Sequence, residues 1–217
     1  SLFFLLLFLI QYPVLCQQPY YTKPFRGNLS QTVSYGSFRN NEFSTGIGIS
    51  TPGLAGIPVI AVADGYVSYI SVSNNGLGKS ISITHDNGST SVYGHLERFS
   101  KDIEEYARII QYKNQSYEID IDVKANLLPV QKNNIIGLSG ISGETTMPML
   151  HFALFNTKSG DFLNPLSVGV YLEKSEAPVI NSIRIISFQN SDDAIQENMS
   201  TLVPVVLNND KYTTQNN

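Results

Sequence analysis

Three histidines are the side chains of this sequence best suited to chemistry near neutral pH, because imidazole can move protons and bind metal ions. They are His85, His95 and His151. His85 lies in the turn signal Thr84-His85-Asp86-Asn87-Gly88, so we expect it to serve a surface turn. His95 and His151 remain the candidates for a site, although ordinary pocket histidines bonded to their neighbours would look the same in sequence.

The only cysteine, Cys16, is not expected in the mature protein. Leu2 to Ile10 are uninterrupted Leu, Phe and Ile, a length typical of a signal-peptide apolar core and about half of a bilayer-spanning helix. The sequence starts at Ser1 without Met or a basic region, so we expect a clipped N-terminus. Cleavage after Cys16 would leave no thiolate zinc site, and we expect export to the periplasm or cell envelope without a transmembrane helix.

Composition narrows the function classes. The 217 residues are 42% hydrophobic and 15% charged, enough for one well-buried domain with appendages. The net charge is -4, the isoelectric point is near 5.3, and no run of Lys and Arg occurs. Because binding to a phosphate backbone requires a basic surface, we do not expect a nucleic-acid partner.

The pattern from Pro58 onward predicts an antiparallel, mainly β domain, since short alternating segments are punctuated by Gly, Asn and Pro. Val59 to Ala63 and Tyr66 to Val72 flank the turn signal Asp64-Gly65, which predicts a hairpin. Two further runs, Lys79 to Thr84 and Ser89 to His95, follow. This regular spacing is typical of a sandwich or roll.

One segment departs from the β pattern. After Ser100, a plausible N-cap, apolar residues recur at helical spacing and predict a short amphipathic helix. These residues are Ile103, Tyr106, Ala107 and Ile110. Tyr117 to Val123 then alternates apolar and acidic residues, which indicates a strand with a solvated acidic face.

Four segments follow from these patterns. They are a signal peptide (1–16), an N-terminal extension (17–34), a β domain (35–172) and a C-terminal segment (177–217). The last begins with a strand-like run from Val179 to Phe188 and then becomes polar. It is predicted either as the start of a truncated β module or as a disordered tail.

Six short stretches resemble, in order and spacing, the lysostaphin and LytM type of zinc endopeptidase, which cuts peptide cross-links in bacterial walls. They are Tyr35-Gly36-Ser37-Phe38-Arg39, Phe43-Ser44-Thr45-Gly46-Ile47-Gly48-Ile49, Gly56-Ile57-Pro58-Val59 with Ala61-Val62-Ala63-Asp64-Gly65, Tyr93-Gly94-His95-Leu96, Ile136-Gly137-Leu138-Ser139-Gly140 and Met149-Leu150-His151-Phe152. The resemblance covers about residues 25–169. It implies the LytM fold, an antiparallel β-sandwich or roll of the duplicated hybrid motif type, with the helix after His95 as an insertion.

The resemblance also implies a site, which in active members is a zinc ion with three protein ligands and an open position for water. The ligands are the His and Asp of a His-x-x-x-Asp motif and the second His of a His-x-His motif. In this sequence the first two positions are Ser44 and Gly48, and His151 retains the third. Of the two further family histidines that handle protons, His95 is retained and Met149 replaces the other.

This erosion of the ligand set argues against the family's usual mechanism. A serine hydroxyl is a poor zinc ligand and glycine has no side chain, so His151 alone would lose most of the free energy that holds the metal. We therefore expect no cofactor. One alternative stays open: Glu42, two residues before Ser44 on the same strand face, could join His95 and His151 in a His₂Glu zinc set.

Three functions are compatible with the sequence. The first is a binding or regulatory module whose groove for wall peptides persists; the resemblance implies peptidoglycan peptides, a wall amidase or an envelope assembly as partners. The second is a zinc endopeptidase with substitute ligands, and the third is a structural adaptor that acts through the C-terminal segment. The expected groove has Tyr93, His95, Met149 and His151 as walls, with Phe43 and Glu42 at its edge.

Overall fold

The computed structural model describes residues 19–27, 30–39, 42–51, 53–170, 182–191, 194–208 and 211–214. The predicted signal peptide lies outside the described residues. The chain divides into two compact units, Ser1–Glu173 and Lys174–Asn217. Among the described residues, no helix is long and apolar enough to cross a membrane.

The first unit is built from short strands and one described helix. The strands are β1 (Gln31–Val33), β2 (Phe38–Arg39), β3 (Glu42–Phe43), β4 (Ile47–Ser50), β5 (Pro58–Ile60), β6 (Gly65–Val72), β7 (Ser80–His85), β8 (Ser89–Gly94), β9 (Leu96–Phe99), β10 (Ile119–Asp122), β11 (Pro129–Val130), β12 (Ile135–Ser139), β13 (Met149–Asn156) and β14 (Phe162–Leu163). The helix, α1, spans Lys101–Asn114.

The main sheet of this unit is antiparallel, with strand order β1-β4-β13-β8-β7-β6-β10. Strand β11 pairs with β6, and β14 pairs with β13. A second sheet has the order β5-β12-β9, and β2 and β3 form a separate hairpin. The predicted fold class, mainly antiparallel β with a short helical insertion, is confirmed.

Strand β13 shows how the core positions the site. Leu150, Phe152 and Leu154 are fully buried in the core, whereas Met149 and His151 are only partly buried. Because successive side chains of a strand point to opposite faces, Met149 and His151 share the face away from these three residues. Burial of each large apolar side chain contributes about 1.5–3 kcal/mol, so the core fixes the strand that carries both.

The predicted hairpin between Val59 and Val72 is wrong. Strand β5 pairs with β12, while β6 pairs with β7 and β10, so the two predicted partners lie in different sheets. The connecting residues bond elsewhere: the Ala61 amide donates to the Asn134 carbonyl and the Val62 amide donates to the Tyr93 hydroxyl. The chain therefore crosses between sheets where the sequence suggested a tight turn.

His85 is also not a surface turn residue, since only 3% of it is exposed. It ends β7, and its Nδ1 lies 2.8 Å from the Asp64 carbonyl oxygen. Its Nε2 lies 2.8 Å from the Ser91 hydroxyl, which in turn lies 3.1 Å from the Tyr93 hydroxyl. Burial lowers the pKa of His85. The residue therefore ties β7 to β8 inside the domain.

Helix α1 and strand β10 occur where the sequence predicted them. Ser100 is the N-cap residue, but its hydroxyl makes no capping bond; instead Glu104 Oε2 accepts from the Phe99 amide at 2.9 Å. Ile103 and Ala107 are buried, as the helical spacing predicted. Strand β10 pairs with β6 and leaves Asp120 and Asp122 exposed.

The described residues of the second unit form three antiparallel strands, β15 (Ser182–Ser191), β16 (Ala194–Asn208) and β17 (Lys211–Thr214). They lie within the C-terminal segment 177–217. Whether this segment opens a longer module stays a prediction.

Candidate functional site

A cavity of about 400 Å³ collects most of the residues that the sequence singled out. Its lining includes Glu42, Phe43, Ser44, His95, Met149 and His151. Residues from strands β3, β8–β9 and β13, far apart in the sequence, thus meet at one place. Leu77 and Glu144 also line the cavity, and no pattern in the sequence pointed to either residue.

Tyr93 does not line this cavity, so its predicted place in the groove wall is wrong. Its ring is fully buried and packs edge-on against Phe152, with centroids 5.3 Å apart. Its hydroxyl accepts a hydrogen bond from the Val62 amide at 3.0 Å. On β8, Val92 is partly exposed, whereas the next residue, Tyr93, points into the core. Tyr93 is therefore a core residue beneath the site.

His151 lies in the middle of the sheet, opposite Gly48 on β4 and Gly94 on β8. Space beside its ring is kept by glycine, since a Cβ at Gly46 would lie 2.9 Å from His151 Nε2. Burial, with a smaller contribution from His95, lowers the pKa of His151 to about 4. The ring is therefore neutral at pH 7.

His95 is held in a defined orientation. Its backbone has a φ of 61°, in the left-handed region that non-glycine residues adopt at a cost of about 1–2 kcal/mol. Its Nδ1 lies 2.9 Å from the Ser142 carbonyl oxygen. Because a carbonyl only accepts, Nδ1 carries the proton and Nε2 is left as an unprotonated base. Burial lowers the pKa of His95, which favours this neutral form.

The two histidine rings meet edge to face, with centroids 6.3 Å apart and an interplanar angle of 86°. Both rings therefore face the same cavity, and they do not stack on each other. Two neutral imidazoles at this distance can accept hydrogen bonds from a ligand's N–H groups or exchange protons with it.

The loop that carries Ser142 is fixed by a close backbone crossing. The Glu144 amide donates to the Gly76 carbonyl at 2.8 Å, and the Lys79 amide donates to Ser142 Oγ at 2.9 Å. A Cβ on Gly143 would collide with the carbonyl oxygen of Gly76 and the amide nitrogen of Gly78. The orientation of His95 thus depends on a contact that only glycine permits.

Ser44 and Gly48, the two residues that the resemblance aligns with the other ligands, do not fit zinc. The Ser44 hydroxyl donates to the Gly46 carbonyl at 2.8 Å. A Cβ on Gly48 would lie 2.6 Å from Met149 Cε and 2.8 Å from Val33 Cγ2. Apolar groups therefore occupy the place where the second ligand would project, and the two replacements at positions 48 and 149 complement each other sterically.

The substitute ligand set is not assembled either. Glu42 is exposed at the cavity edge, as is Glu144. Across the residues that the structure describes, no group of three His, Cys, Asp or Glu side chains converges as a metal site, so Glu42, His95 and His151 do not form one. The donor set present consists of one buried imidazole, His95, and one partly buried imidazole, His151, with carboxylates at the rim.

Acid should destabilise this domain through its buried histidines. The ordinary histidine pKa is 6.5 and that of His151 is about 4, so the unfolded chain binds more protons between these values. Stability is therefore complete above pH 6.5 and is lost as the pH falls toward 4, by at most about 1.4 kcal/mol per pH unit for His151. Urea unfolding of wild type and His151→Gln at pH 7.5 and 5.0 measures it. The variant should lose less stability than wild type, and identical losses would contradict the assigned pKa direction.

Comparisons with known proteins found a family match and related sequences. Residues 42–113 match Peptidase family M23. The DD-carboxypeptidase/endopeptidase Mpg of Neisseria meningitidis serogroup B is 31% identical over 127 residues, which is 58% of this chain and 23% of that protein. The chain thus spans about a quarter of the length of this curated relative.

Solved structures share the fold. The catalytic domain of the prophage-encoded M23 protein EnpA from Enterococcus faecalis, solved as a point mutant, is 24% identical with a TM-score of 0.50, over 69% of this chain and 98% of that one. The antimicrobial peptidase lysostaphin from Staphylococcus simulans is 18% identical with a TM-score of 0.52, over 88% of each chain. Residues 42–113 of this chain therefore match peptidase family M23, and its first unit has the fold of the EnpA and lysostaphin peptidases.

Proposed function

We propose that this domain is an exported M23-type module that binds the peptides of peptidoglycan and does not cut them by the family's zinc mechanism. The observation that carries the proposal is the combination of an open cavity of about 400 Å³ with apolar groups at the second ligand position. A cavity of this size accommodates a short peptide segment. Through such binding the protein would regulate a wall hydrolase or serve in an envelope assembly.

The cavity's chemistry suits a wall peptide. Peptides of this kind present amide N–H groups and ammonium groups, which are hydrogen-bond donors. His95 Nε2 offers a buried acceptor, and the exposed carboxylates of Glu42 and Glu144 stand at the rim, where they would complement an ammonium group. Phe43 and Leu77 add apolar surface for the aliphatic parts of the ligand.

Phe43 is the side chain whose loss should weaken binding most without unfolding the domain. It is 70% exposed at the cavity edge and lies 5.0 Å, centroid to centroid, from Phe38 across the β2–β3 hairpin. Because burial of such a ring by a ligand contributes about 1.5–3 kcal/mol, Phe43→Ala should weaken peptide binding roughly tenfold or more. Calorimetric titration with a synthetic stem peptide measures the change.

Phe38→Ala is the matched control, since Phe38 carries the other ring of the same hairpin but does not line the cavity. The peptide affinity of this variant should stay within about twofold of wild type. Retention on purified wall sacculi provides the parallel assay. If wild type is retained no more than a neutral control protein, the proposal of direct peptidoglycan binding is wrong.

A second candidate is a zinc endopeptidase with substitute ligands, favoured by the presence of Glu42, His95 and His151 around one cavity. It requires Glu42 to move inward and coordinate with both imidazoles. Release of soluble muropeptides from sacculi, abolished by a chelator and by Glu42→Gln, would establish this candidate over the binding module.

A further inference from the structure

A second cavity, of about 510 Å³, lies at the C-terminal end of helix α1 and is separate from the histidine cavity. It is lined by Arg108, Gln111, Tyr112, Gln115, Ser116 and Tyr117. It shares no lining residue with the histidine cavity. The helix of 14 residues is about 21 Å long, so this cavity is set well away from the helix start that follows β9.

Two tyrosines dominate the surface of this cavity. Tyr112 is 78% exposed and Tyr117 is 60% exposed. Neither ring contributes to the core, and large exposed aromatic rings in a concave site are typical of ligand contacts. An amphipathic helix that needed only to cover the sheet would carry a polar residue at position 112, on its exposed face.

The floor of the cavity is held by hydrogen bonds that end the helix. Gln115 adopts a left-handed conformation with a φ of 51°, and the Ser116 amide donates to the Gln111 carbonyl at 3.1 Å. Gln111 Nε2 donates to the Tyr117 carbonyl at 2.7 Å, which links the helix to the segment that carries the second tyrosine. The rings are thus attached to a backbone that these hydrogen bonds hold in place.

The polar groups of the cavity are amides, a hydroxyl and one cation. Gln111 has a carbonyl oxygen left to accept, and Gln115 can both donate and accept. Within the part of the chain that the structure describes, no carboxylate lies in ion-pair distance of the Arg108 guanidinium. The Arg108 guanidinium is therefore the group of this cavity that suits an anionic ligand.

We propose that this cavity binds the glycan part of peptidoglycan, an N-acetylated amino-sugar oligomer that carries carboxylates. A pyranose ring has an apolar C–H face and a polar rim of hydroxyl and acetamido groups, which matches tyrosine faces surrounded by side-chain amides. The carboxylate on the sugar's lactyl ether is free where an amidase has removed the stem peptide, and there it would pair with Arg108. This inference rests on the proposed function, since it adds a glycan subsite to a peptide-binding domain.

Binding of two glycan probes to the full chain tests the inference. One probe is tetra-N-acetylchitotetraose, which is neutral, and the other is amidase-stripped glycan strands, whose lactyl carboxylates are free. Both should bind, the stripped strands more tightly. Tyr112→Ala and Tyr117→Ala should each weaken both probes about tenfold. Arg108→Gln should weaken only the stripped strands, about tenfold, because it removes a charge-assisted contact.

Ile109→Ala is the matched control, because Ile109 is exposed on the same helix but does not line the cavity. It should leave both affinities within about twofold of wild type. Absence of binding to both probes, or affinities that Tyr112→Ala and Tyr117→Ala leave unchanged, would overturn the inference.

A parallel titration with the free stem peptide keeps this inference apart from the proposed function. Peptide binding that depends on Phe43 but not on Tyr112, together with no glycan binding, refutes the glycan site alone. Loss of both activities refutes the proposed function as well.

Discussion

Restoring the family's side chains should turn this domain into a tight zinc binder. The triple variant Ser44→His/Gly48→Asp/Met149→His adds two ligands to His151 and removes the methyl group that lies 2.6 Å from the Cβ position of residue 48. Because each ligand contributes several kcal/mol, zinc affinity should rise by about four orders of magnitude over wild type. Competition against a chelator of known affinity measures it.

The matched control carries Gly48→Asn in place of Gly48→Asp, which keeps the size of the side chain and removes its charge. It should bind zinc far more weakly than the triple variant, since a neutral amide is a poorer zinc ligand than a carboxylate. The double variant Ser44→His/Gly48→Asp, which retains Met149, should fall between the two because the Met149 methyl group still crowds position 48. A triple variant with no gain in affinity would contradict the assignment of these positions to the family's ligand site.

Of the substitutions proposed for this domain, Gly143→Ala should lower the free energy of unfolding most, and it should also displace His95. At a φ of 71° an alanine is strained, and its Cβ would meet the backbone of Gly76 and Gly78 rather than a flexible side chain. The backbone strain and the overpacking together amount to about 2–5 kcal/mol. Chemical denaturation measures the loss. The ring resonances of His95 should shift, because the Ser142 carbonyl that orients it moves with the loop.

Gly76→Ala separates the cost of backbone strain from the cost of overpacking. Gly76 also has a positive φ, of 55°, in the facing loop, but a Cβ there meets nothing within 4 Å. It should cost only the conformational part, about 1–2 kcal/mol, and leave His95 in place. Equal losses for the two variants would mean that the crossing of the loops is not what stabilises this region.

Much of the fold could be predicted from the sequence because it follows from local alternation and from turn signals. The helix after Ser100 and the two strand runs from Lys79 to Thr84 and from Ser89 to His95 were predicted this way. The hairpin from Val59 to Val72 was not, since the Asp64-Gly65 signal is local whereas the partner of β5 is a strand more than seventy residues later. Pairing between distant strands leaves no trace in the spacing of a single sequence.

Some residues of the candidate site could also be predicted from the sequence, and others could not. His95, Met149, His151 and Ser44 were placed by their motifs, and they do line one cavity. Tyr93 was misplaced because its motif gives its neighbourhood but not the direction of its side chain. Glu144 and Leu77 come from the two loops that cross at Gly78 and Gly143, and only the folded chain brings those loops to the histidines.

His85 illustrates a further limit. Its turn sequence indicated exposure, yet its ring bonds to the Asp64 carbonyl and the Ser91 hydroxyl inside the domain. A residue at the end of a strand can face either solvent or core, and the choice depends on which groups of the neighbouring strands need a partner.

The metal content and activity of the purified native chain test the central claim most directly. The protein would be loaded with zinc, dialysed and analysed by mass spectrometry, and the same sample incubated with wall sacculi. We predict substoichiometric zinc and no release of soluble muropeptides. One zinc per chain that His151→Ala abolishes, together with chelator-sensitive release of muropeptides, would contradict the account.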